Sequence, residues 1–294
     1  MKKLNPGFYT ALGSPLDQNG YIIEESLRRE IDMQIEAGAS GLLLMGSMGI
    51  EAAIKLDAWA KAAEIAADAV AGRVPLFVGA MDNSIARVKE RLSYLESLDI
   101  DGVVLTTPFY SMTNNKELEK FFSDCSDATR HPLYLYDLPV VTKVKITYPL
   151  VEKLIANGKV AGIKTGDIVL ARQLRLAYPD FEVLFSNLDC FDVALNWGID
   201  KVLDGMFSCT PKNSKKFVEA YLAGDIKATG SYLNNIISLR DFLLSVPGSS
   251  LLYVYSEAMN MLGMDGMFCY DYSYEKNEAA PALIKEAFAK YGEM

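Results

Sequence analysis

The sequence predicts an α/β fold, namely a (β/α)8 TIM barrel with a C-terminal helical extension. Three observations predict it: eight short apolar runs rich in β-forming residues, helical periodicity between these runs, and further helical segments after the last run. Strands that alternate with helices and are apolar almost throughout are typical of parallel sheets covered on the outside. The 294 residues are enough for one such barrel, which usually needs roughly 250.

The strand candidates follow one another at regular spacing. They are Phe8–Leu12, Gly41–Met45, Leu76–Ala80, Val103–Thr107, Leu133–Leu138, Ala161–Lys164, Glu182–Phe185 and Lys201–Phe207. After the first of them, the segment Glu24–Ala37 places Leu27, Ile31 and Ile35 on one helical face, and Ser84–Leu98 repeats this pattern. Eight such units favour a closed barrel over an open dinucleotide-binding sheet, and no GxGxxG follows the first strand candidate.

The chain beyond the eighth strand candidate contains more helical sequence than one barrel unit needs. The helical segments are Lys215–Leu222, Ile226–Ser245, Leu251–Leu262 and Pro281–Tyr291. We therefore expect a barrel over residues 1–224 and a helical appendage over residues 225–294, within the same structural unit.

Composition excludes several function classes. Asp and Glu outnumber Lys and Arg by 38 to 29, and no basic run with interleaved aromatic residues occurs, so nucleic-acid binding is not expected. No segment approaches the roughly 18 apolar residues that a spanning helix needs, and Pro6, Gly7 and Pro15 interrupt any signal-like start. We expect a cytoplasmic protein. The 4 cysteines form no CxxC pair, which favours buried thiols over disulfides or a zinc site.

The chain contains a single histidine, His131. Zinc aldolases, histidine triads and multi-histidine metal sites need more imidazole groups, so we expect neither a metal nor a cofactor. Catalysis would then depend on lysine, tyrosine, hydroxyl and carboxyl groups. His131 precedes the fifth strand candidate, at the end of the barrel opposite to active sites, and a structural role, as a cap or at the surface, is expected for it.

The carboxyl ends of the strands select the candidate catalytic residues, because barrel active sites lie there. Lys164 ends the sixth strand candidate, where a buried ammonium is costly unless it is paired. Two interpretations are open: an internal ion pair with Asp167 or Asp189, or an amine that desolvation keeps neutral for attack on a carbonyl. Tyr134 and Tyr136 share one face of the fifth strand candidate, and Tyr136 at its carboxyl end suits proton transfer.

A glycine-flanked turn, Gly46-Ser47-Met48-Gly49, follows the second strand candidate. Its hydroxyl and its exposed backbone N–H groups suit a carboxylate ligand.

Together these segments resemble the dihydrodipicolinate synthase / N-acetylneuraminate lyase family of class I Schiff-base aldolases, over nearly the whole chain. The family's GxxGE turn, YNxP segment and GxK segment are similar to GSMGIE, Tyr136-Asp137-Leu138-Pro139 and Gly162-Ile163-Lys164. The resemblance implies that Lys164 forms an imine with the keto group of a pyruvate-like substrate. It implies also that Tyr136 carries the proton.

The resemblance implies further roles for individual residues. In the turn that begins at Gly46, Ser47 and the N–H of Met48 would hold the substrate carboxylate. The Ser47 hydroxyl would link Tyr136 to Tyr110, which the family contributes across a subunit contact. The usual family assembly, a homotetramer built as a dimer of dimers, is therefore expected.

The sequence departs from the family's motifs at several positions. Met48 replaces the second hydroxyl of the turn, and the glutamate is displaced by Ile50 to Glu51. Where the synthase branch has an arginine for the second substrate's carboxylate, this chain has Val141, and Lys143 is the nearest cation. An apolar side chain cannot replace a bidentate carboxylate ligand.

The two last strand candidates are followed by residues that match contacts to sugar hydroxyls in the lyase branch. These matches implicate Asp189 and Ser208 in substrate binding. Asn187 stands where the family commonly has glycine, which indicates a narrower pocket.

We therefore expect a pyruvate-dependent aldolase or lyase that acts on a 2-keto-3-deoxy sugar acid or a related 2-keto acid. Its small-molecule partners would be pyruvate and an aldehyde. A dehydratase that uses the same imine, dihydrodipicolinate synthase and a non-catalytic keto-acid-binding barrel are the alternatives. Met48 favours the non-catalytic alternative, whereas the presence of both Lys164 and Tyr136 opposes it. A metal-dependent barrel enzyme is less consistent with a single histidine.

Overall fold

The computed structural model describes residues 3–273 and 276–294. Within these ranges, eight strands pair in sequence order into a closed barrel, and the pairs with a defined register are parallel. The strands are β1 Gly7–Ala11, β2 Gly41–Leu44, β3 Leu76–Gly79, β4 Gly102–Thr106, β5 Leu133–Asp137, β6 Gly162–Thr165, β7 Glu182–Phe185 and β8 Lys201–Asp204. The predicted (β/α)8 barrel is confirmed.

Helices follow the strands, and a helical part completes the carboxyl end of the chain. The helices are α1 Glu24–Glu36, α2 Leu56–Val70, α3 Ile85–Leu95, α4 Asn115–Ser126, α5 Pro139–Thr142, α6 Tyr148–Ala156, α7 Ile168–Ala177, α8 Phe191–Leu195, α9 Pro211–Leu222, α10 Ile226–Ser245, α11 Leu251–Met261 and α12 Ala280–Tyr291. Short 3₁₀ helices span Glu51–Ala53, Leu188–Cys190, Met206–Cys209 and Asp271–Ser273. In the part of the chain described, no helix combines the length and the hydropathy needed to cross a membrane.

Most strand and helix boundaries agree with the sequence-based predictions to within one or two residues. The eighth strand ends at Asp204 rather than at Phe207, because the chain turns into the 3₁₀ helix Met206–Cys209. Helix α9 begins at Pro211, ahead of the predicted Lys215. Proline at the first helical position is favourable, since its fixed φ suits a helix and its missing N–H is not needed there.

The described residues form two compact units. One contains the chain up to Pro6 and Pro75–Leu203, and therefore β3 to β8. The other contains Gly7–Val74 and the chain from Asp204 onward, and therefore β1, β2 and the helices from α9 to α12. The division of the chain at residue 224 into barrel and appendage stays a prediction.

Tyr134 fills the interior of the β3–β8 unit near the start of the strands. Its ring meets Phe77 edge-on, with ring centroids 4.8 Å apart. It lies against two glycines: a β-carbon at Gly162 would come within 2.5 Å of the ring, and one at Gly102 within 2.8 Å. The two glycines therefore give the ring its space. In the same unit, the ring of buried His131 contacts the Leu95 carbonyl oxygen at 3.0 Å from Nε2, before β5 begins, consistent with the predicted structural role.

A buried carboxyl group, Glu30, lies inside the other unit on α1. Its Oε1 accepts a hydrogen bond from the Gly13 N–H at 2.9 Å, while Oε2 has no partner among the residues described. Burial raises the pKa of Glu30 to about 8, and the Gly13 N–H offsets only part of this effect. The group is therefore protonated in the folded protein at neutral pH.

We expect Glu30→Gln to stabilise the protein at pH 8 and to stabilise it much less at pH 5. In the unfolded chain the carboxyl ionises above about 4.5, whereas the folded protein keeps the proton up to about 8, so native stability falls as pH rises through this window. Because one pKa unit corresponds to about 1.4 kcal/mol, raising the pKa from 4.5 to about 8 should make the gain at pH 8 on the order of 4 kcal/mol, against about 1 kcal/mol at pH 5.

Urea unfolding of the two proteins at both pH values measures this difference. Glu25→Gln is the matched control, since Glu25 is exposed on the same helix and should change stability equally little at both values. A stability gain of the same size at pH 5 and pH 8 would contradict the assignment of a raised pKa.

Candidate active site

Lys164 and Tyr136 form a buried pair at the carboxyl ends of two adjacent strands. The register of β5 and β6 places them directly opposite each other. The side chains are 4% and 3% exposed, and the Lys164 Nζ lies 4.2 Å from the centroid of the Tyr136 ring. The alternation of side chains along a strand gives Tyr134 and Gly162 one layer of the barrel and Tyr136 and Lys164 the next layer, closer to the carboxyl ends.

The amine of Lys164 has no carboxylate partner within the described chain. Its Nζ forms neither an ion pair nor a hydrogen bond there, and the Tyr136 ring is its one polar contact. The internal ion pair that the sequence left open is not formed, because Asp167 pairs with Lys145 at 3.1 Å and Asp189 is exposed. An ammonium is costly to bury in this way, whereas the neutral amine is a nucleophile.

Asp137, the residue after Tyr136, connects the ends of β5 and β6. Its buried carboxylate accepts hydrogen bonds from the Thr165 hydroxyl at 2.8 Å and from the Ile146 N–H at 3.1 Å, and it pairs with Lys145. Thr165 follows Lys164 directly in the sequence. The contact between Asp137 and Thr165 therefore fixes the strand ends that carry Tyr136 and Lys164.

Lys145 extends this network to the beginning of α7. It bridges Asp137 and Asp167, and the Asp167 carboxylate also caps the helix by accepting the N–H groups of Val169 and Leu170. Burial would raise the pKa of Asp167, but the Leu170 N–H and the Lys145 ammonium lower it more, so it lies below its ordinary value. The network thus presents two carboxylates to one lysine.

The predicted carboxylate-binding turn belongs to the unit that contains β1 and β2. Met45 and Ile50, which flank it, have φ values of 56° and 45°. A positive φ is a true outlier for a β-branched residue such as Ile50, and strain of this kind clusters at functional sites. Ser14 anchors the turn through a hydrogen bond of 2.7 Å from its hydroxyl to the Gly49 carbonyl.

The side chain of Ser47 and the backbone N–H of Met48 are the two donors of this turn that a ligand could use. The Ser47 side chain is exposed, and the Met48 N–H donates to no residue of the described chain. The Met48 side chain packs on Gly205, where an added β-carbon would lie 2.5 Å from its terminal methyl carbon. The turn thus offers a backbone donor rather than a second side-chain hydroxyl.

Tyr110 lies on the loop after β4 and is 89% exposed. Asn83 fixes this loop, because its side-chain oxygen accepts the N–H groups of Phe109 at 2.8 Å and of Tyr110 at 2.9 Å. Met112, on the same loop, is also exposed. The ring of Tyr110 is therefore exposed on a loop that Asn83 holds in place.

The segment that begins at Pro139 forms helix α5, and Lys143 ends this helix with a φ of 61°. Val141 and Lys143 therefore do not lie on one side of an extended chain. The Lys143 Nζ donates to the Val140 carbonyl at 2.7 Å, and Val141 is 58% exposed. Lys143 is thus turned back onto its own helix.

The two residues matched to sugar contacts lie in different surroundings. Asp189 is exposed in the 3₁₀ helix after β7, where its N–H donates to the Asn187 side chain at 3.2 Å. Ser208 is fully buried, and its hydroxyl bonds to Tyr255 at 2.7 Å and to the Gly205 carbonyl. These contacts give Ser208 a packing role in its unit, and a substrate contact by either residue stays a prediction.

Sequence reasoning missed Asp137, Lys145 and Asn83. The sequence contains one signal for the first two: this chain has Asp137 where the family's YNxP segment has an asparagine. A buried carboxylate requires a compensating cation, and Lys145 supplies it. Asn83 carries no such signal, because an asparagine in a loop is ordinary.

Comparison with known proteins places these features in context. The profile of the dihydrodipicolinate synthetase family matches residues 5–270. An N-acetylneuraminate lyase from Clostridium perfringens is 25% identical and aligns over 97% of this chain and 99% of its own length. A 4-hydroxy-tetrahydrodipicolinate synthase from Acidiphilium cryptum is also 25% identical, over 97% and 98%. The crystal structure of YagE from E. coli K12, in complex with pyruvate, has a TM-score of 0.89 at 22% identity and covers 98% of this chain and 99% of its own.

Proposed function

The chain belongs to the dihydrodipicolinate synthetase family, and on that premise we propose that it is a pyruvate-dependent class I aldolase or lyase. It would cleave or form a carbon–carbon bond in a 2-keto-3-deoxy sugar acid or a related 2-keto acid. The observation that carries the proposal is the buried amine of Lys164, which has Tyr136 beside it and no carboxylate partner in the described chain.

In the proposed reaction the neutral amine of Lys164 attacks the keto carbon, and loss of one water molecule gives the imine. The protonated imine accepts the electrons of the C3–C4 bond as that bond breaks, the C4 hydroxyl gives up its proton, the aldehyde leaves and an enamine remains. Protonation of the enamine at C3 then restores the imine, now of pyruvate. Tyr136 is suited to move the protons that these steps require, because its ring is 4.2 Å from the Lys164 Nζ. Water then attacks the imine carbon, releases pyruvate and restores the free amine.

For the substrate carboxylate we propose the hydroxyl of Ser47 and the N–H of Met48. The unused Met48 N–H supports this role, since a carboxylate needs several donors once it leaves water. The Gly46 backbone belongs to the same turn and gives it the necessary close approach. Asp137 would act indirectly, by fixing the strand ends that carry Lys164 and Tyr136.

We propose also a homo-oligomer, a tetramer by family resemblance, in which Tyr110 serves the site of a second subunit. The exposure of its ring and the fixed loop that carries it support this role. Truncation of the ring by Tyr110→Ala would then weaken both assembly and turnover.

Borohydride trapping tests the proposed function. The protein is incubated with pyruvate and then with borohydride, which reduces an imine to a stable secondary amine. Intact mass should rise by one reduced pyruvate per chain, and peptide mapping should locate the addition at Lys164. Failure to obtain an adduct with any 2-keto acid would remove the proposal, and an adduct on another lysine would relocate it.

Dihydrodipicolinate synthase activity is the second candidate, since a named synthase is as similar to this chain as a named lyase. Against it, Val141 stands where that branch has an arginine, and the Lys143 ammonium is turned back onto Val140. An unpaired carboxylate out of water costs several kcal/mol. We therefore expect aspartate semialdehyde to be a poor partner for the pyruvate imine.

The measurement is kcat/KM over a panel of aspartate semialdehyde, glyceraldehyde, a longer sugar aldehyde and an aromatic aldehyde. Hydroxylated or uncharged aldehydes should be preferred by at least about tenfold, the scale of one lost charged hydrogen bond. Val141→Arg is the informative variant, because it should raise the value for the semialdehyde alone. A clear preference of the wild type for the semialdehyde would return the protein to the synthase branch.

A further inference from the structure

A cavity lies at the amino ends of the strands within the β3–β8 unit, opposite to the ends that carry Lys164 and Tyr136. It has a volume of about 350 Å³ and opens where β7 and β8 begin. We call it the amino-end cavity. Its inner wall includes the buried side chains of Tyr134, Phe181, Val183 and Ile199, and a ligand pocket of ordinary size begins at roughly 300 Å³.

The charged groups of the amino-end cavity are only partly paired with one another. Lys201 pairs with two carboxylates, Glu182 at 3.2 Å and Asp200 at 2.9 Å. With Lys3, Arg175 and the exposed Asp180, the lining carries three cations and three carboxylates and is neutral as a whole. Within the described chain Arg175 pairs with none of these carboxylates, so its guanidinium is the group to which an anionic ligand could bind.

Arg175 is held as a preformed anion ligand. Its Nε donates to the Gly198 carbonyl and its Nη1 to the Pro179 carbonyl, both at 2.9 Å, which fixes the plane of the guanidinium. Its Nη2 donates to no residue of the described chain. A guanidinium fixed in this way binds a carboxylate with little further loss of side-chain entropy.

Tyr134 contributes the second unused donor. The side chain is almost wholly buried and lines the cavity, yet its hydroxyl bonds to no residue within 3–273 or 276–294. Burial raises the pKa of this phenol, and the charges of Glu182 and Asp101 raise it further, so the hydroxyl keeps its proton. The hydroxyl therefore offers a donor to a ligand acceptor in the cavity.

We propose that the amino-end cavity is a binding site for a small organic carboxylate that carries a short apolar chain. The carboxylate bonds to Arg175, with the Tyr134 hydroxyl as a further donor and Lys3 nearby at the rim. The apolar chain packs on Phe181, Val183 and Ile199. A compact inorganic anion would leave this apolar wall in contact with water, so the wall selects for the carboxylate.

The test uses isovalerate as the probe, with inorganic phosphate as the comparison, and titration calorimetry of the wild-type protein. Isovalerate has no keto group and forms no imine, so the result does not depend on the proposed function of Lys164. We expect one bound isovalerate per chain with a millimolar Kd, and weaker binding of phosphate. Tyr134→Phe should weaken isovalerate binding by about three- to tenfold, since it removes one hydrogen bond.

Arg175→Ala should weaken binding by more than tenfold, and Arg172→Ala is its matched control. Arg172 lies on the same helix and carries the same charge, but it stacks on Trp197, 4.4 Å from the ring centroid, and does not line the cavity. Tyr134→Phe should leave thermal stability unchanged, because the lost hydroxyl has no partner in the described chain. The proposal is overturned if isovalerate does not bind, if phosphate binds as tightly, or if Tyr134→Phe and Arg175→Ala bind isovalerate like Arg172→Ala.

Discussion

Replacing Lys164 with alanine is expected to abolish both turnover and the borohydride-trapped adduct. The substitution removes the amine that would form the covalent intermediate, and the loss of a covalent nucleophile lowers turnover by about 10⁴-fold or more. Stability should not fall in proportion, because the buried Lys164 side chain has no carboxylate partner in the chain as described. Turnover, adduct mass and thermal unfolding of the same preparation measure the three quantities together.

Lys143→Ala is the matched control for this experiment. Lys143 is a nearby lysine, but it is exposed and its Nζ donates to the Val140 carbonyl. The variant should keep both the adduct and the turnover. If Lys164→Ala retained the adduct, another lysine would be the nucleophile, and the central proposal would fail even if turnover were lower.

Replacing Tyr136 with phenylalanine should lower kcat by about 10²–10⁴-fold, the usual range for a lost general acid–base group. The ring contact with Lys164 is kept, so substrate binding and the fold should change little. The rate at which the imine forms and reverts should fall with kcat, because both steps need proton transfer. Rapid-quench trapping with borohydride measures the rate of imine formation, and steady-state kinetics measure kcat.

Tyr134→Phe is a matched control here as well. It removes the same hydroxyl from the same strand face, one barrel layer farther from the carboxyl ends. Its kcat should stay within about twofold of the wild type, because the Tyr134 hydroxyl lies one layer away from Lys164 and bonds to no residue of the described chain. Equal losses in the two variants would point to a general effect on the barrel rather than to proton transfer by Tyr136.

The features that the sequence predicted well are those that depend on local pattern. The strand candidates are apolar runs bounded by helical segments, and their ends place Lys164 and Tyr136 where the structure has them. Burial follows from the same pattern, since a parallel strand in a barrel has no solvent-exposed face. The proximity of Lys164 and Tyr136 therefore follows from the sequence pattern alone.

The features that the sequence predicted poorly depend on where a side chain points after a turn. The sequence indicates Lys143 as the nearest cation to Val141, but α5 and a left-handed residue reverse the chain there, and Lys145 is the lysine that reaches the strand ends. The sequence places Ser208 after a strand but does not show that the chain bends there into a 3₁₀ helix and buries the side chain against Tyr255. A substrate contact by Ser208 stays a prediction. One residue of helix or turn after a strand changes the direction in which the next side chains point, and the sequence pattern does not show this change.

The pairing of Asp137 with Lys145 has a consequence for how this sequence can vary during evolution. The family's segment has an uncharged asparagine where this chain has Asp137, and an isolated buried carboxylate is destabilising by several kcal/mol. Loss of Lys145 alone would leave the Asp137 carboxylate buried without its cation, whereas loss of Asp137 alone would leave Lys145 beside Asp167, which is partly solvated. The aspartate can therefore change before the lysine, and the reverse order passes through a less stable protein.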